Sequence, residues 1–133
     1  NGSGKSAPIY VDDVVDLLIL SATHPQADGQ IFNGTPTPAP TWREFLGEYS
    51  ALVGHRRWLG IPVPIVSALI RVMSPFTQLE MIKGGTGFLK YITADTTYSN
   101  QKARDLLGWS PKVSLHDGIQ KCVPYLKEKG LLK

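Results

Sequence analysis

Apolar residues along the chain fall into two kinds of segment. Pro8-Ile9-Tyr10-Val11 and Gln30-Ile31-Phe32-Asn33-Gly34 are brief runs bounded by turn residues, which predicts short strands, and Arg57-Trp58-Leu59 reads as a third. Between the first two, Asp12 or Asp13 supplies an N-cap whose negative charge suits the positive end of a helix reaching about Thr23. Val14, Val15, Leu17, Leu18, Ile19, Leu20 and Ala22 occupy most of its circumference. A helix apolar on so many sides needs cover from more than one direction.

The later segments predict helices. Thr41 and Glu44 form a Thr-x-x-Glu capping box ahead of Phe45, Leu46, Tyr49 and Leu52, with Gly54 as the stop. Pro64 suits the first turn of a helix through Met73, ended by Ser74-Pro75. Residues 83–96, with Gly84-Gly85-Thr86-Gly87, read as a loop. Ser99 caps a helix from Asn100 to Leu107 that Gly108 ends. A second box, Ser114-x-x-Asp117, opens the last helix, with Leu115, Ile119, Cys122, Val123 and Leu126 on one face and Pro124 as an expected kink. Two or three short strands leave unpaired edges and cannot make a self-sufficient sheet. The order therefore predicts the end of an α/β protein, mostly helical with two to four short strands.

Composition narrows the class. At 133 residues and 42% hydrophobic the chain is one globular unit, small for an enzyme that must hold a dinucleotide and a second substrate. A single cysteine, Cys122, forms no internal disulfide, so a reduced cytoplasm is the expected setting. The apolar runs 17–20 and 61–73 are too short or too interrupted to span a bilayer, and the opening residues do not read as a signal peptide. Residues 1–49 hold two basic and six acidic groups, the remainder twelve and five, giving −4 and +7. The lysines of the basic part are scattered singly without interleaved aromatics, which argues against nucleic acid as a partner.

The candidate motifs are mostly decoys. Gly4-Lys5-Ser6 resembles the end of a P-loop, but a proline and an extended run follow where a helix should begin. Tyr98 and Lys102 have the Tyr-x-x-x-Lys spacing that lets an ammonium lower a phenol's pKa on one helix face. Here Tyr98 ends an extended segment and Ser99 caps the helix, so the pair is read as a decoy. His24, His55 and His116 lack metal-ligand spacing, no Gly-x-Ser-x-Gly elbow occurs, and Cys122 sits on an apolar helix face as a core residue. No metal is expected.

Read together, Ile9-Tyr10-Val11-Asp12-Asp13-Val14-Val15-Asp16, Gly29-Gln30-Ile31-Phe32-Asn33-Gly34, Thr41-Trp42-Arg43-Glu44-Phe45 and the run Asn100 to Lys112 with Leu106-Leu107-Gly108-Trp109-Ser110-Pro111 form one succession. It resembles the C-terminal part of extended short-chain dehydrogenases/reductases, the superfamily of NAD-dependent epimerases, dehydratases and 3β-hydroxysteroid dehydrogenase-like enzymes, over roughly residues 9–129. The resemblance implies that an upstream Rossmann half carries the glycine-rich turn and the catalytic Ser/Thr, Tyr and Lys, and binds NAD or NADP. No catalytic or cofactor-binding residue is then expected in 1–133, which forms one substrate-binding unit whose residues 8–34 complete the edge of the Rossmann domain. The isolated chain should be inactive, and the full enzyme a homodimer.

Two departures bear on the substrate. Nucleotide-sugar enzymes of the superfamily commonly carry diphosphate-binding arginines before the Tyr-Val-x-Asp segment and before the Lys-Ala helix. Ser6-Ala7-Pro8 and residues 84–90 lack them, leaving Lys5, Lys83 or Lys90 as point charges. The apolar run 61–73 is closer to steroid- and lipid-directed relatives. The expected reaction is hydride transfer at a secondary alcohol or ketone of an apolar substrate, with contacts from Lys5, Ile65, Leu69, Met73, Lys83 and Lys90. Nucleotide-sugar epimerase or dehydratase is the alternative within the class, and a non-catalytic binding or sensor module the alternative outside it. A membrane surface is disfavoured as partner.

Overall fold

The computed structural model describes residues 2–54, 61–73, 75 and 85–132. Helix α1 (Val11–Thr23) starts earlier than its acidic residues suggest, with Tyr10 at the N-cap making no side-chain cap bond. Asp12 and Asp13 lie in the first turn, where charge still suits the helix dipole. Asp13 does not cap its own helix. The residue is 2% exposed, and its carboxylate accepts from the backbone N–H of Lys112 at 2.9 Å and of Val113 at 3.1 Å. Trp109 donates its indole N–H to the Asp13 carbonyl at 3.0 Å, and Lys112 pairs with Asp16 at 2.6 Å. One turn of α1 thereby anchors a segment nearly a hundred residues away.

Leu17, Ala27, Ala103, Leu107 and Trp109 form the core, with Ile9, Leu20, Phe32 and Leu106 packed against it. The core thus joins α1, the 3-10 turn Pro25–Ala27 and the short helix Gln101–Leu107, which ends at Gly108 with φ +64°. Ser99, the expected cap, accepts from the Gln101 N–H at 3.1 Å, while the N-cap position itself is Asn100. Helix α2 (Trp42–Leu52) carries the complete capping box: the Thr41 hydroxyl accepts from Glu44 N–H at 3.1 Å and the Thr41 N–H donates to the Glu44 carboxylate at 2.6 Å. Helix α3 (Val63–Met73) holds Pro64 in its first turn, where a missing N–H costs nothing. It packs on α4 (Gly85–Thr93). Calling Gln101–Leu107 α5, the last helix is α6 (Leu115–Glu128), capped by Ser114 through the Asp117 N–H at 3.1 Å, continuous through Pro124 and packed on α2.

The α/β expectation is not met. Among the described residues the fold is helical, and the sole β-type pairing is an isolated antiparallel bridge between Lys5 and Thr41. Residues 8–10 run extended but unpaired into α1. Residues 30–34 likewise form no strand, and the long-range bonds in and just after them pass through side chains. Asn33 donates to the Ser99 carbonyl at 3.2 Å, Thr35 to Tyr98 at 3.0 Å, and Asn100 returns a bond to Thr35 at 2.8 Å. The predicted strand 57–59 lies outside the described residues. Most of the predicted loop 83–96 is instead helix α4, whose apolar Leu89, Tyr91 and Ile92 outweigh the glycines that precede them.

Candidate functional site

The loop 2–6 is held on both sides by backbone bonds. Lys5 N–H donates to Ala94 at 2.9 Å and Ser6 N–H to Pro40 at 2.8 Å; Trp42 and Arg43 N–H groups donate to Gly4 and Gly2, each at 2.9 Å. Gly4 is buried against the end of α4, where a Cβ would run into the Ile92 carbonyl. This fixes Lys5 beside a cleft of about 80 Å³ lined also by Ser6, Tyr91, Thr96 and Tyr98. Trp42 packs edge-on to Tyr91 (5.9 Å) and Phe45 (6.0 Å), so an aromatic row couples α4 to α2 behind the cleft.

The predicted contacts divide. Lys5 lies in the cleft, and Lys90 is exposed in the last turn of the helix that closes it. Ile65, Leu69 and Met73 are 60%, 56% and 43% exposed on α3, next to α4 but outside both principal cavities. Lys83 lies outside the described residues. Tyr98 precedes α5 and lines the cleft, whereas Lys102 Nζ stands 5.6 Å from the centre of the Phe32 ring. Tyr91 was not foreseen as a site residue, because the segment holding it read as a loop; the 3–4 spacing of Phe88, Tyr91 and Ile92 is the signal that could have found it.

A larger cavity of about 700 Å³ opens between α2 and α6, lined by Phe45, Tyr49, Ile119 and Cys122 together with several prolines. Beside it, His116 of α6 meets Glu48 of α2 at 2.9 Å, and this hydrogen bond and charge raise the imidazole pKa. Burial raises the Tyr49 phenol. Backbone and side-chain bonds from Thr41 lower the Glu44 carboxyl.

A phosphate cradle needs free N–H groups at a helix start, and those of Lys5 and Ser6 are spent on Ala94 and Pro40. The small cleft lacks the volume for a dinucleotide, and at the large one the Lys112 and Val113 N–H groups are spent on Asp13. Among the described residues no group of three His, Cys, Asp or Glu could hold a metal, and no helix is long and apolar enough to cross a membrane.

No protein-family model matches the chain, and no solved structure matches it. It is similar to the UDP-glucose 4-epimerase of Mycolicibacterium smegmatis, with 32% identity over 131 residues, which is 98% of this chain and 34% of that protein. The chain therefore spans about a third of the length of that relative. This similarity supports a distant relation to the NAD-dependent epimerase superfamily that the motif succession resembles, without favouring its 3β-hydroxysteroid dehydrogenase-like members.

Proposed function

We propose that the chain is the substrate-binding portion of a longer NAD(P)-dependent oxidoreductase of the epimerase/dehydratase type, which moves a hydride at a secondary alcohol or ketone. The observation carrying this reading is that nearly the whole chain matches one third of a UDP-glucose 4-epimerase. The exposed row Val11, Val15, Leu18 and Ile19 on α1 supports it, since a helix face this apolar is stabilised by cover that the cofactor-binding part would provide. In this reading Lys5, Tyr91 and Tyr98 face the substrate, and Lys90 and α3 flank it.

Two observations bear on the substrate. The exposed stripe Ile65, Leu69, Val72 and Met73 favours an apolar molecule. The name of the relative favours a nucleotide sugar as the second reading. The cofactor is held by the rest of the enzyme, so calorimetric titration of the 133-residue chain with NAD is expected to give no binding heat. Saturable NAD binding by this chain alone would overturn the assignment.

A further inference from the structure

We propose that the cavity between α2 and α6 is a binding site for a compact, flat, apolar molecule: an aryl compound with one hydrogen-bonding group. This goes beyond the oxidoreductase reading and is independent of it. Two helices turn their inner faces to the space, Phe45 and Tyr49 from α2 and Leu115, Gly118, Ile119 and Cys122 from α6. Facing apolar helix sides normally interdigitate, leaving few voids larger than a water molecule. Here about 700 Å³ stays open, within the range of small-molecule sites.

The walls explain why the space does not close. Pro8, Pro36, Pro38, Pro40 and Pro111 contribute to them, and each fixes its own backbone φ. Buried Gly118 lets the Tyr10 ring lie against the α6 backbone, where a Cβ would stand 3.2 Å from it, so that the ring becomes part of the wall. The chemistry of the lining selects the occupant. The lining cation, Lys112, is paired with Asp16, and the Lys112 and Val113 N–H groups are spent on the Asp13 carboxylate, so an anion finds little to hold it. Ser114 is engaged by Asp117 at 2.6 Å. The Tyr10, Phe45 and Tyr49 rings offer stacking or edge contacts, and Tyr49 and Cys122 bring polar atoms for a single hydrogen-bonding group.

The test is titration of the isotope-labelled 133-residue chain with naphthol, followed by backbone amide shifts. The expected result is a saturable response at Phe45, Tyr49, Gly118, Ile119 and Cys122 that leaves α3 and α4 unmoved. Cys122→Phe, which fills the cavity from α6, should weaken binding by about tenfold or more. If that variant does not fold, Tyr49→Trp fills it from α2 at a partly exposed position and should do the same. The proposal is overturned by absence of saturation, by shifts spread over α3 and α4, or by unchanged affinity in the folded variant. It is equally overturned if the same amides shift with protein concentration alone, which would put a second copy of the chain in the cavity.

Discussion

Asp13 is held below the surface by two backbone N–H donors, and it holds them in turn. Asp13→Ala leaves the Lys112 and Val113 N–H groups without their acceptor, and bonds to a charged group are the costly ones to lose. The expected destabilisation is about 2–4 kcal/mol, read from urea unfolding; a loss under about 0.5 kcal/mol would show that water replaces the carboxylate freely. His116 gives the second residue-level expectation. Its pKa is raised in the folded chain by the bond and charge of Glu48. The pair therefore contributes fully below the unfolded value of about 6.5 and is lost as pH rises through the higher folded value. Comparing the native chain with His116→Gln should show a stability difference near about pH 5.5 that vanishes by about pH 9. A difference that grows with pH would reverse the sign of the coupling.

Some helix ends were readable from residue types, at Thr41, Ser114 and Gly108, while the start of α1 and the extended segments were not. Thr41-x-x-Glu44 and Ser114-x-x-Asp117 act within four residues: the first closes as a complete box, and the second caps its helix through the Asp117 N–H alone. A strand needs a partner elsewhere, and nothing in Gln30 to Gly34 says whether one is present; the long-range bonds found here run through the side chains of Asn33, Thr35 and Asn100. Asp13 misled in a related way, since the partner it prefers to its own helix end is far along the chain. Helix α4 was hidden by its glycines, and with it Tyr91. Lys5 stood out as a candidate contact in the sequence, but its fixed position beside the cleft depends on Gly4 and the carbonyls of Pro40 and Ala94, which the sequence does not announce. Gly4→Ala should push the loop off α4, costing about 1–3 kcal/mol and moving the amides of Tyr91 and Tyr98. A thermal midpoint and spectrum equal to the native chain's would show that loop and helix are not locked.

Among the described residues large apolar side chains lie exposed, Ile31 at 84% and the row Val11, Val15, Leu18 and Ile19 along α1. The chain's acidic first part builds α1 and the cap of α2, and its basic remainder builds α3 to α6. In the proposed enzyme the first part meets the cofactor-binding portion and the loop at Lys5 meets substrate. The direct measurement replaces the matching third of the M. smegmatis UDP-glucose 4-epimerase with this chain and assays the chimera, folded by circular dichroism and loaded with NAD, against UDP-glucose and a hydroxysteroid panel. Turnover of a substrate from either group is the predicted result, and which group responds decides between the two substrate readings. A folded, NAD-loaded chimera that turns over neither would contradict the assignment of this chain as the substrate-binding portion.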